Sequence, residues 1–198
     1  MSTITESILS AAQALPEGSM LSPKEFLHLG SRAAVDQALT RLNKEGKLLR
    51  VDRGAYVVPI ESRFGTRPPS TQAVIEAIET QQSEMVVTTG AMSANAFGLT
   101  TQVAVREVFL TSGRSRKLKL GSRIIELKHS PRWQLALGKR PAGMAIRALS
   151  WLGPEQAHAA LRILHTQLPT DEWNAMCQAR SALPSWMAKA VSEVHFRG

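Results

Sequence analysis

Arg32, Gln37, Thr40, Arg41 and Lys44 lie in one stretch of chain, interleaved with Ala34, Val35, Ala38, Leu39 and Leu42 at helical spacing. That interleaving predicts an amphipathic helix whose apolar face packs on a core. The opposite face then gathers guanidinium, amide, hydroxyl and ammonium groups, with Asp36 among them. Arg and Gln side chains can pair bidentately with the edges of nucleic-acid bases, whereas a Lys ammonium suits phosphate better. Arg50 and Arg53 follow beside Gly54, in a segment that reads as a turn, where a guanidinium can reach a phosphate or a minor groove. Arg32, Gln37 and Arg41 are therefore expected at base edges. Ser31, Thr40, Lys44, Arg50 and Arg53 are expected at phosphates or at the hairpin contact. A solvated amphipathic helix with a hairpin behind it has the same residue types, so the order of the surrounding elements has to distinguish the two.

Those elements are legible one by one. Ser22-Pro23-Lys24-Glu25 supplies a capping serine, a proline at the first helical position and a glutamate at the third, which opens a short helix. Gly30 suits a left-handed residue at its end, and Ser31 can cap the next helix at once. So short a break makes the two helices cross steeply. Gly46 ends the second helix. Leu48, Leu49 and Val51, then Asp52-Arg53-Gly54, then Ala55, Tyr56, Val57 and Val58 read as a hairpin. Helix, tight turn, helix and hairpin in this order predict a winged helix-turn-helix, whose second helix can lie in the major groove of double-stranded DNA. Thr3 and Glu6 form a further capping box, opening a helix from about residue 4 to residue 14.

A chain of 198 residues has room for two small domains. Pro59, Gly65, Pro68 and Pro69 mark residues 61–69 as a linker. The expectation is an α+β protein: a winged helix-turn-helix at 1–60, then a mixed domain at 70–198 with a small β-sheet, a basic face and a helical C-terminus. In that second domain a helix should start at Ser70 or Thr71, with strands at 85–89, 103–111 and 123–128 and a short one through Leu118 and Leu120. Pro141, Pro154 and Thr170-Asp171-Glu172 should start helices.

The net charge of +8 is unevenly placed: residues 1–101 carry nine basic and ten acidic side chains, and residues 102–147 carry eleven basic against two acidic. Such a block favours a polyanion, and Arg114, Arg116, Lys117 and Lys119 are expected to grip the phosphate backbone. The single Cys177 excludes an internal disulfide and fits a reducing compartment. No apolar run is long enough to cross a bilayer, and the N-terminus lacks the basic start of a secretion signal, so a cytoplasmic location is expected.

The module at 22–58, followed by TTGAMSANAFGLTTQ and VREVFLTSGRSRKLKLGSRIIELKH, resembles the AbiEi family of antitoxins. These are the transcriptional-repressor halves of AbiE-type toxin–antitoxin pairs. The resemblance implies an N-terminal domain that binds the operator of its own operon and represses it. It also implies a second domain that neutralises a nucleotidyltransferase-like toxin, often without a stable complex. No cofactor and no catalytic activity are expected. Two other readings stay open. One is a regulator unrelated to toxins whose second domain senses an effector. The other is a Mg²⁺-dependent nuclease on Glu107, Glu126 and Lys128, because Glu126-Leu127-Lys128 on a strand puts carboxylate and ammonium on one face.

Overall fold

A computed structural model of the chain describes residues 3–63, 65–102 and 106–197. The N-terminal elements are α1 (Ile4–Gln13), a 3-10 turn (Pro23–Phe26), α2 (Arg32–Lys44), β1 (Leu49–Asp52), β2 (Ala55–Val57), β3 (Ile60–Ser62), β4 (Gly65–Arg67) and α3 (Thr71–Gln82). Next come β5 (Val86–Thr88), α4 (Gly90–Ala96), β6 (Glu107–Thr111), β7 (Arg116–Leu120) and β8 (Arg123–His129). The C-terminal elements are α5 (Arg132–Leu135), α6 (Pro141–Leu152), α7 (Pro154–Gln167), α8 (Thr170–Gln178), a second 3-10 turn (Ala179–Ala182) and α9 (Ser185–Arg197). The protein is α+β, and its strands form only small sheets. The start of the strand expected at 103–111 lies outside the described residues.

Contacts divide the chain into two compact units, Met1–Glu84 with Arg116–Glu126, and Met85–Ser115 with Leu127–Gly198. This division cuts across the expected domains of 1–60 and 70–198, because α3 and β7 fall in the first unit.

In the first unit α1 opens with the expected capping box: Glu6 N–H donates to Thr3 Oγ1 at 3.2 Å and Thr3 N–H to the Glu6 carboxylate at 2.8 Å. Ile8 and Ala12 of α1, Phe26 of the turn, Val35, Ala38, Leu39 and Leu42 of α2, and Leu21, Leu48 and Tyr56 form one buried cluster. The short helix expected after Ser22 is a single 3-10 turn. Its capping box is present, but Glu25 N–H bonds Ser22 O and Leu29 N–H bonds Phe26 O, three-residue spacings that do not propagate as an α-helix. Gly30 does not take the left-handed conformation. A Cβ there would come 2.8 Å from Ile4 Cδ1, the movable end of that side chain. The expected linker holds the antiparallel hairpin β3–β4, in register Ile60↔Arg67 and Ser62↔Gly65.

Helix α3 is capped by Ser70, whose hydroxyl accepts from Ala73 N–H at 3.1 Å. Its ties to the loop after α1 explain why it joins the first unit: Ser70 N–H donates to Glu17 at 2.9 Å and Met20 N–H to Gln81 at 2.9 Å. Gly18, at φ +82°, lies so close to the Ala73 backbone that a Cβ would sit 2.4 Å from it. Strand β7 lies beside β8, burying Leu118 and Leu120 and exposing Lys117 and Lys119.

In the second unit β5 pairs antiparallel with β6, Val86 opposite Thr111. Strand β6 is hydrogen-bonded to β8 on its other side. The helical core gathers Ile146 and Leu149 of α6, Leu161 and Leu164 of α7, Trp173, Met176 and Cys177 of α8, and Met187 and Val191 of α9. Burial pushes the Cys177 thiol up from its ordinary value, which suits a core hydrophobe. Thr170-Asp171-Glu172 was expected to cap α8, but the first residue before that helix is Pro169, which offers no side-chain cap. Glu172 caps α6 instead: its carboxylate accepts from Ala142 N–H at 2.9 Å and from Arg140 Nε at 2.9 Å. The Ala142 hydrogen bond first, then Arg140, hold that carboxyl below its usual range. Arg147 is buried, donating to the carbonyls of Gly138 and Gln134 at 2.9 and 3.3 Å, and burial lowers its pKa to about 10.

Candidate nucleic-acid interface

Helix α2 presents the expected polar face. Val35, Ala38, Leu39 and Leu42 are buried, and Arg32, Gln37, Thr40, Arg41 and Lys44 are exposed. Ser31 serves as the helix cap, its hydroxyl accepting from Ala34 N–H at 3.3 Å, and so has a structural use beside the phosphate role expected of it. Thr40 donates to the Asp36 carbonyl at 2.8 Å. Arg32 Nε pairs with Asp36 and Arg41 Nε with Glu45, each at 2.9 Å and four residues apart. Lys47 adds a second cation to Glu45 at 3.0 Å, and the Arg41 and Lys47 hydrogen bonds hold the Glu45 carboxyl below its usual range.

Hairpin β1–β2 is locked to the end of α2. Gly46, at φ +72°, lets the chain reverse, and Lys47 and Leu48 N–H both bond Leu42 O, at 2.9 and 3.2 Å. Asn43 Oδ1 then accepts from Arg50 N–H at 2.9 Å. At the tip, Asp52 Oδ1 accepts from Arg53 N–H at 2.7 Å and Gly54 takes φ +68°, which closes the turn. Leu21 and Tyr56 exchange backbone hydrogen bonds of 2.8 and 3.0 Å, tying the hairpin to the segment before the 3-10 turn.

These constraints open a cleft of about 520 Å³ between α2 and the hairpin tip. Arg32, Asp36 and Thr40 line it from α2, Arg50 and Arg53 from the hairpin, and Lys24 from the turn. Asp36 and Thr40 also line a shallower groove along α2, with Gln37, Arg41 and Lys44. Seven of the eight residues expected in this module thus meet in two adjoining grooves, and Ser31 does not line either one. Lys24 and Asp36 were not among them. Lys24 was hidden by its role as filler in a capping motif, and Asp36 by its sign.

Residues 6–167 match the model of a family described as a family of unknown function, DUF6088. The chain belongs to the DUF6088 family. No curated protein and no solved structure matches it.

In this DUF6088 chain the basic block is not one surface. Arg116 was expected on the phosphate backbone, but its side chain is only 8% exposed. It pairs with Glu84 at 2.9 Å and donates to Gln82 at 3.1 Å, holding the end of α3. Arg123 holds the other end, donating to Pro69 O at 2.8 Å and Thr71 Oγ1 at 3.4 Å. Lys117 and Lys119 stay exposed on β7, and Arg114 is exposed in the second unit. For the nuclease reading, Glu126 falls in the first unit and Glu107 in the second. Among the described residues no group of three or more His, Cys, Asp or Glu is placed to hold a metal ion.

Arg116→Ala should lower stability by about 3 kcal/mol, because it removes the little-exposed ion pair with Glu84 and the bond to Gln82 that hold the end of α3. Lys117→Ala and Lys119→Ala should each stay within about 0.5 kcal/mol of the parent. Urea denaturation followed by circular dichroism separates the two; equal, small effects would mean that Arg116 is not a structural clamp.

Proposed function

We propose that the chain is a sequence-specific DNA-binding protein in which α2 enters the major groove and β1–β2 acts as a wing on the flanking backbone. The observation that carries this reading is the cleft in which Arg32 and Thr40 of α2 meet Arg50 and Arg53 of the hairpin and Lys24 of the turn. Four cations converge there from three elements, held by hydrogen bonds that fix the hairpin to the helix. A B-DNA major groove, roughly 12 Å wide, admits one α-helix, and arginines beside it can reach both base edges and phosphates. The ion pairs on α2 do not oppose this. Exposed pairs of this kind are worth about 0–1 kcal/mol, so a phosphate or a guanine can displace the carboxylate.

On this reading Arg41 and Gln37 reach base edges, Lys44 and the hairpin arginines neutralise phosphates, and Lys117 and Lys119 add sequence-independent contacts. Arg41→Ala should lower affinity for the duplex upstream of the chain's own gene by on the order of tenfold more than it lowers affinity for random duplex. Fluorescence anisotropy at fixed salt measures both; equal losses would take base reading away from Arg41.

The biological role we propose is that of an AbiEi-like antitoxin and autorepressor, acting in the cytoplasm against a nucleotidyltransferase-like toxin. The resemblance of residues 88–129 to that family supports this part. Co-expression with an adjacent nucleotidyltransferase-like gene should then relieve the growth arrest which that gene causes alone. Persistent arrest would remove the antitoxin role and leave DNA binding standing.

A further inference from the structure

Among the described residues, Asp36 is the one carboxylate that lines both grooves. It stands at the centre of α2 with Arg32 one turn before it and Thr40 one turn after it. Its Oδ2 accepts from Arg32 Nε at 2.9 Å, and about half of its side chain is open to solvent. The Thr40 hydroxyl donates to the Asp36 backbone carbonyl, at 2.8 Å, and so leaves the carboxylate to other donors.

A carboxylate repels a phosphate, so the part of a duplex that faces Asp36 has to be a hydrogen-bond donor. In the major groove guanine and thymine offer acceptors along the edge, whereas cytosine and adenine offer amino groups. The adenine amino group stands beside N7, whose lone pair a carboxylate also meets unfavourably. The cytosine amino group stands beside a C–H. We infer that Asp36 is a specificity-determining residue that accepts a hydrogen bond from the amino group of a cytosine, with Arg32 held beside it for the neighbouring guanine or phosphate. This inference rests on the proposal that α2 lies in the major groove. It adds a penalty as well as a contact, because backbone-only docking leaves Asp36 against phosphate.

The test is selection from a random duplex library by the full-length chain, its Asp36→Ala variant and its Asp36→Asn variant. The parent should enrich a motif with a cytosine favoured on the order of tenfold at one position. Asp36→Ala should lose the preference at that position alone and bind random duplex more tightly than the parent. Asp36→Asn should shift the position toward adenine, whose N6 and N7 a side-chain amide pairs bidentately. A residue that only stabilised the helix through Arg32 would weaken binding and leave the motif unchanged. An unchanged motif in both variants overturns the inference while leaving DNA reading intact. A parent chain that enriches no motif overturns the DNA reading itself, and the inference with it. Thermal unfolding of all three proteins confirms that the exposed substitutions leave the fold in place.

Discussion

The paired backbone hydrogen bonds between Leu21 and Tyr56, at 2.8 and 3.0 Å, set where the hairpin stands relative to α2. Tyr56 is buried in the same cluster as Phe26 and Leu39, so the exchange lies over a packed core. On the far side, Asn43 Oδ1 ties β1 to the last turn of α2 through Arg50 N–H. With both strands fixed, the tip carrying Arg53 has one position over the polar face of the helix. A hairpin joined only through the flexible stretch at Gly46 would leave Arg50 and Arg53 without a fixed relation to Arg32 and Thr40. A binding surface built from separate elements works only if its groups are held before the ligand arrives.

Charge in this chain divides between building the fold and facing solvent, and the division decides what the protein can bind. Arg116 and Arg123 clamp the two ends of α3, Arg140 serves the Glu172 cap of α6, and Arg147 is buried against backbone carbonyls. All four belong to the block of eleven basic residues at 102–147. The large positive total therefore overstates the charge offered to a partner by that block. The nearly neutral N-terminal segment does the opposite. Two of its acids, Asp36 and Glu45, pair with arginines four residues away, in exposed ion pairs of small net worth.

Local chemistry made most elements legible. Capping boxes at Thr3 and Ser22, the cap at Ser31, the glycine after α2 and the Asp52-Arg53-Gly54 turn all appear where residue type placed them. What failed depended on tertiary partners. Gly30 lies against Ile4, 26 positions earlier, and does not take the left-handed conformation of a helix end. Glu172 caps a helix 30 residues away instead of its own. The boundary at 61–69 followed proline and glycine content, but α3 belongs with the first unit because Glu17, Arg116 and Arg123 bind it. Sequence spacing carries no record of such long-range partners. The same limit hid Arg116: alternation along β7 showed which side lysines and leucines take, but not that a half-buried Glu84 pairs with the arginine.

Occupation of a major groove by α2 is the central claim. Dimethyl sulfate footprinting tests that directly, because the reagent methylates guanine N7 on the major-groove edge. With the full-length chain on the duplex upstream of its own gene, guanine N7 should be protected within a short tract, flanked by backbone protection toward hydroxyl radicals. Saturating binding that left every guanine N7 reactive would contradict it.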